Sequence, residues 1–363
     1  MGRLNKEIGG EFWDTNKLSE VCALDFEKNY VFMLSGRTAL DFLIGDIKKE
    51  YNLFKAVYMP SYCCRFMIEP FIKNNVKVYF YGVSLNECGG FEYDVDFDVP
   101  CDAVYLMQYF GYADNKTDYI AKIFKNNGKI IIKDATHSMF AEDQNNLYAD
   151  YIFGSYRKWT TFYSGGFAKK LSGDFLIEPP VFTNQEYINL RKRAVELKNE
   201  YINGNISDKN EFLKLFREAE NYLELDYCGY LMDNDSIEMI KSLDIKYIKE
   251  KRLKNARILL SLFSENKIIK PIFSDLHDND CPLFVPVIVN CGKRDALQNF
   301  LIRNNIYCPV HWEISDLHSL QNLSEKSRYI YDNILSVVCD QRYDEKDMIY
   351  IAGKIKEFEE VIK

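Results

Sequence analysis

What this 363-residue chain lacks narrows its class before any motif is read. It has no basic excess: 46 Lys and Arg stand against 54 Asp and Glu, a formal net charge of −8. That argues against a nucleic-acid partner, which needs a basic face, and leaves room only for a local basic pocket that could take a phosphorylated ligand. No apolar run approaches the ~20 residues needed to cross a bilayer, so no membrane association is expected. The polar stretch 1–11 has no apolar core of the signal-peptide kind, and none is expected there. Only four His are present, none pairs with a Cys at zinc spacing, and Cys-x-x-Cys does not occur, so no metal site is expected. The ten Cys run from Cys22 to Cys339, too sparse for a disulfide framework apart from the adjacent Cys63 and Cys64. They are expected to be reduced core residues of a cytoplasmic protein. Internal repeats and low-complexity stretches are also missing.

What is present is globular: 47% hydrophobic and 28% charged residues, in a chain long enough for about two domains. Short apolar runs at 30–34, 56–59, 76–81, 103–107, 129–133 and 151–153 read as strands. Between them, apolar residues recur at helical spacing, as at 39, 40, 43, 44 and 47, around 66–71, and over 118–127. This alternation predicts an α/β fold with a mainly parallel sheet and helices on both faces. The texture changes after about residue 180. Residues 184–224 are charged and helical, 236–263 reads as one long helix, 281–289 and 306–312 as strands, 294–304 as a helix, and 344–362 as a closing helix capped by Asp344. The expected division is a large α/β domain over 1–234 and a small α+β domain over 235–363.

Ligands of such sheets sit beyond the carboxyl ends of the strands. Four turns with chemical content lie there: Ser35-Gly36-Arg37-Thr38, Pro60-Ser61-Tyr62-Cys63-Cys64, Asp134-Ala135-Thr136-His137 and Ser155-Tyr156-Arg157-Lys158. The first is a strand, a Gly turn and a helix start, which offers free backbone N–H groups and a positive dipole end to an anion, or is an ordinary N-cap. The last puts Lys158 among Tyr156, Trp159, Phe162 and Tyr163, with Gly165-Gly166 passing close by. A desolvated lysine loses its proton more easily and can form a Schiff base with a carbonyl. The plainer alternative is a lysine with a buried stem and its head in water. Ser-x-x-Lys after a strand is a pattern of pyridoxal 5'-phosphate (PLP) enzymes. That cofactor would need phosphate donors (Gly36, Arg37, Thr38, Ser155), a carboxylate on its ring nitrogen (Asp134, otherwise a helix N-cap), a donor to its 3-oxygen (His137), cover for its ring (Tyr62, Cys64 or Tyr109) and the amine of Lys158.

These segments resemble those of the DegT/StrS-type nucleotide-sugar aminotransferases, which are fold type I PLP enzymes. Residues 35–40 are similar to that family's Ser-Gly-Thr-Ala-Ala-Leu turn, 59–64 to its Val-Pro-Ser/Ala-Tyr-Thr segment, Gln108-Tyr109-Phe110-Gly111 to its His-Leu-Phe/Tyr-Gly, and 134–137 to its Asp-Ala-Ala-Gln/His. Lys158 with Gly165-Gly166 matches its lysine loop, and Pro309-Val310-His311-Trp312 resembles its Pro-x-His-Tyr/Trp. The order fits over about 30–170 and 235–360. Three departures stand out: the family's serine lies five residues before the lysine, where this chain has Phe153; Arg37 replaces a small residue; and Cys64 stands where some relatives carry a stacking aromatic. The resemblance implies an aspartate-aminotransferase-like fold, PLP bound to Lys158 as a Schiff base, and transfer of an amino group, from glutamate, to a nucleotide-linked keto sugar in amino-sugar or surface-polysaccharide biosynthesis. It also implies a homodimer with the active site at its interface. Lys158, Asp134 and His137 would be catalytic, and His311 could touch substrate; Arg191-Lys192-Arg193 could meet a nucleotide diphosphate, although such a charge run is usually a solvated helix face. Another PLP reaction type, or a catalytically silent PLP-binding regulator, is the alternative.

Overall fold

A computed structural model describes residues 7–361, apart from 14–25, 27–28, 88, 114, 142–146 and 321–322. Cys22 and Cys88 fall outside the described residues. In chain order the elements begin with β1 (Ile8–Gly9), β2 (Tyr30–Met33), α1 (Gly36–Glu50), β3 (Ala56–Pro60), α2 (Arg65–Lys73), β4 (Lys77–Leu85), β5 (Phe91–Asp94) and β6 (Ala103–Met107). They continue with α3 (Lys116–Asn126), β7 (Ile130–Asp134), β8 (Tyr151–Ser155), β9 (Gly166–Lys170), α4 (Gln185–Ile202) and α5 (Asn210–Leu225). The last third holds α6 (Asn234–Lys241), α7 (Ile245–Phe263), β10 (Ile269–Pro271), β11 (Val285–Val289), α8 (Arg294–Arg303), β12 (Ile306–Tyr307), α9 (Glu325–Asn333), β13 (Ile334–Val337) and α10 (Glu345–Val361).

Eight strands form one sheet in the order β2-β9-β8-β7-β6-β3-β4-β5. The central run from β8 to β4 is parallel throughout, while β9 and β5 pair antiparallel. β3, β6, β7 and β8 are buried at every position, as expected of strands covered by helices on both faces. The carboxyl ends of β2, β3, β6, β7 and β8 therefore open at one edge of the sheet. A second core lies around the antiparallel sheet β10-β11-β13, packed by α7, α8 and α10.

Three sequence expectations differ from the structure. The expected long helix over 236–263 is two helices, because Asp233 and Asp244 each accept the N–H three residues on and so cap separate starts. Ile8, Gly9 and Trp13 do not join the eight-stranded sheet: β1 pairs parallel with β12 and Trp13 packs in the second core. Not all cysteines are core residues: Cys228 and Cys291 are exposed and Cys64 is half-buried, and the eight described cysteines are all free.

Candidate active site

β8 runs straight into a single tight turn, Tyr156–Lys158. Two glycines hold that turn against the one after β2. Gly165 donates its N–H to the Leu34 carbonyl at 3.0 Å and accepts from the Tyr156 N–H at 2.6 Å. A Cβ on Gly166 would lie 2.0 Å from the Ser35 carbonyl oxygen, so no side chain fits there. The result brings Ser155 onto Gly36: a Cβ added to Gly36 would sit 3.4 Å from the Ser155 Cβ. Gly36 and Arg37 begin α1, and their N–H groups have no acceptor within the helix. The third N–H, of Thr38, is already capped by the Ser35 Oγ at 3.1 Å.

The neighbouring turn follows β7. Asp134 is 3% exposed, and its carboxylate accepts from the Tyr105 hydroxyl and, at 2.8 Å, from the Thr136 N–H. Burial raises its pKa above the ordinary carboxylate range, although these hydrogen bonds and the Lys158 charge oppose that. A cation placed against it would restore the ionised form. The two turns are tied together by Trp159, whose indole N–H donates to the Thr136 carbonyl at 2.9 Å. The Trp159 carbonyl accepts in turn from Arg252 of α7 at 3.0 Å and from Gln341 at 2.8 Å, anchoring the Lys158 turn to these later segments.

One cavity receives Gly36, Arg37, Cys64, Asp134, His137, Ser155 and Lys158. His137 is 2% exposed, and its Nδ1 is buried with no hydrogen-bond partner among the described residues. Burial, with His311 and Lys158 nearby, pushes its pKa well below the ordinary 6.5, so the ring is neutral at pH 7 and carries one N–H donor. A buried polar atom without a partner is costly unless a ligand satisfies it. Open amides at a helix start, a buried carboxylate, an unpartnered imidazole and an amine around one cavity fit the phosphate, ring nitrogen, 3-oxygen and aldehyde of PLP.

Several expected residues lie elsewhere. Lys158 is exposed to the cleft rather than boxed in, because Trp159 and Phe162 turn into the core, so the burial argument for its reactivity does not hold. Tyr62 and Tyr109 do not cover a ring in the cavity: both are sealed in the core, the Tyr109 hydroxyl donating to the Tyr62 carbonyl and the Tyr62 hydroxyl to the His311 carbonyl. The Thr38 hydroxyl is spent on the Tyr227 carbonyl at 2.7 Å. Arg191 is no solvated face and no open anion site: its side chain is 4% exposed, ion-paired with Glu11 at 3.1 Å and Glu220 at 3.7 Å, and stacked on Phe216. His311 bonds the Ser336 Oγ through Nδ1 at 2.7 Å and faces a second cavity. Lys158 and Arg157 line both cavities; Gly9 to Phe12, Leu213, Gln298, Ile302 and Pro309 wall the second.

The first cavity is also lined by residues the sequence reading passed over: Arg157, Glu220, Leu223 and Trp312. Arg157, next to Lys158, is held by Glu220 at 2.7 Å. Glu220 and Leu223 come from α5, in the stretch without a recognised motif.

No protein-family model and no curated protein matches the chain's sequence. Solved structures do match its fold. PseC of Helicobacter pylori, an aminotransferase involved in the biosynthesis of pseudoaminic acid, is 12% identical, with 98% of this chain and 100% of that chain covered at a TM-score of 0.66. DesI, crystallised in the presence of its TDP-sugar product, is 13% identical over 93% of this chain and 82% of its own, at 0.64. A DegT DnrJ EryC1 StrS aminotransferase from Brucella abortus is 14% identical over 91% and 86%, at 0.60. The chain has the PLP-dependent transferase fold, type I. In that fold the segments 35–38, 134–137 and 155–158 form the rim described above, on the carboxyl edge of the large sheet.

Proposed function

We propose that this chain is a PLP-dependent aminotransferase of the DegT/StrS type that moves an amino group, from glutamate, to a nucleotide-linked keto sugar in amino-sugar or polysaccharide biosynthesis. The observation that carries the reading is the convergence of Lys158, Asp134, His137 and the start of α1 on one cavity. Bound PLP supplies an aldehyde for amines and a ring that takes up the electrons released when a neighbouring C–H bond breaks. The Gly36 and Arg37 amides and the Ser155 hydroxyl would bind the phosphate, while the Arg37 guanidinium is already paired with Glu69 at 3.4 Å and lies over the rings of Phe66 and Tyr227. The Asp134 carboxylate would hold the ring nitrogen protonated, and the neutral His137 would donate to the ring oxygen. Cys64 lies alongside. Lys158 Nζ would bind the aldehyde and, once displaced by the donor amine, carry a proton between the donor carbon and the cofactor carbon. The second cavity, which shares Lys158, would take the substrates.

A cytoplasmic homodimer is part of the same proposal and rests on the resemblance. The test is amino transfer from glutamate to keto-sugar nucleotides, followed by the amino-sugar product. The wild type is expected to turn over, and Lys158→Ala to lose about a thousandfold or more, the usual range for a missing acid–base group. Turnover by Lys158→Ala at the wild-type rate would reject the mechanism. Glutamate consumption without any sugar product would move the reading to another PLP reaction.

A further inference from the structure

We propose that Trp312 of the small domain is a positioning residue that sets the His137 imidazole against the cofactor cavity. The inference rests on the cofactor reading above. His137 is buried, yet among the described residues no hydrogen bond fixes its Nδ1, and its ring packs against neighbouring rings. Three rings touch it: Phe110 at 5.2 Å and 37°, His311 at 5.5 Å and 84°, and Trp312 at 5.4 Å and 25°. Trp312 is the one nearest to parallel, and the only one of the three that lines the same cavity. A terminal ring torsion is broad and two-fold by itself, so an imidazole without a hydrogen bond takes its orientation from the surface it lies on. Its single N–H must point at one acceptor to be useful, and the flat face of the indole restricts where it can point.

Trp312 is itself held from the large domain. The Tyr62 hydroxyl donates to the carbonyl of His311, the residue just before it, and the Tyr62 ring lies 5.2 Å from the indole. The Tyr109 hydroxyl donates to the Tyr62 carbonyl. Tyr62 and Tyr109 are 0% and 2% exposed, and the hydroxyls of both are engaged in this chain of contacts. These two tyrosines, at the ends of β3 and β6, therefore reach the site through Trp312 and His137. The small domain supplies one wall of the cavity, and the large domain fixes where that wall stands.

The test is the affinity for PLP, measured by equilibrium dialysis, in the wild type, Trp312→Phe, Trp312→Ala, His137→Ala and the double variant. Unfolding midpoints of the ligand-free proteins are measured alongside. Trp312→Ala is expected to weaken PLP about tenfold and Trp312→Phe to stay near wild type, since a planar ring is kept. In the His137→Ala background the same Trp312→Ala step is expected to change affinity by less than about twofold, because coupled residues are not additive. Tyr62→Phe, which removes one hydroxyl and little else, is expected to weaken PLP about threefold by the same route. A tenfold loss that persists without His137 overturns the inference, since Trp312 would then act by touching the ligand or by holding the fold. Wild-type affinity in Trp312→Ala overturns it as well. A wild type that fails to bind PLP overturns the cofactor reading and this inference together.

Discussion

The rim around Asp134 and the junction around Arg342 are both buried and both polar, and each shares a cavity with Lys158, yet they are built in opposite ways. At Arg342 every side-chain nitrogen is engaged. Its guanidinium makes two bonds of 2.8 Å to the Asp340 carboxylate, donates to the Glu11 carbonyl at 3.1 Å and the Gly10 carbonyl at 3.4 Å, and lies over the rings of Phe12, Trp13 and Tyr343. At the Asp134 rim, capacity is left over among the described residues: two amides without an acceptor in their helix, a buried imidazole nitrogen, and the amine of Lys158 facing the cleft. Position and charge would rank Arg342 as an anion site. Its hydrogen bonds instead hold Gly10 and Glu11 in place beside Asp340, whereas polar groups at the rim are left over.

If that contrast is right, the largest effect on stability comes from the saturated side. Arg342→Ala leaves the buried Asp340 carboxylate without its cation and is expected to cost about 3–5 kcal/mol in denaturant unfolding. The pH dependence adds a second check. Burial alone would raise the Asp340 pKa, but the Arg342 charge and hydrogen bonds outweigh it and hold the carboxyl below its ordinary range. In the wild type this stabilisation is present above the ordinary carboxylate pKa and is lost as pH falls through the depressed folded value. In Arg342→Ala the unpaired Asp340 protonates more readily, so the cost of the substitution should shrink between pH 7 and about pH 4. A cost that is small, or flat with pH, would show that the pair is not what holds the junction.

On the open side the effects fall on ligand affinity and not on the fold. Ser155→Ala removes one hydroxyl at the helix start and is expected to weaken PLP about tenfold, with the unfolding midpoint unchanged. Thr38→Val is its mirror and the smallest effect: the hydroxyl spent on Tyr227 is worth about 1 kcal/mol of stability, with PLP affinity unchanged. If the two serve the same role, the variants will not separate in this way.

Much of the rim could be read in the sequence because strand ends announce themselves: an apolar run stops, and the polar residues after it share one edge of a parallel sheet. That logic located residues 35–38, 134–137 and 155–158. It could not tell which way a side chain leaves the strand end, which is why Tyr62 and Tyr109 were expected to line the cavity and instead point into the core. It could not see long-range pairing either. Arg191 reads as a solvated charge because its partner Glu11 lies 180 positions away. The break between α6 and α7 was legible, since Asp244 is an N-cap residue in mid-pattern, but the apolar spacing ran through it. Trp312 directly follows His311 in its motif, and nothing in that order shows that its ring lies on His137.

The most direct test of the central claim is to load the protein with PLP, reduce it with borohydride, and map the modified peptide by mass spectrometry. The account predicts a phosphopyridoxyl group on Lys158, formed in the wild type and absent in Lys158→Ala. Labelling spread over surface lysines, or a rim lysine other than Lys158, would contradict it.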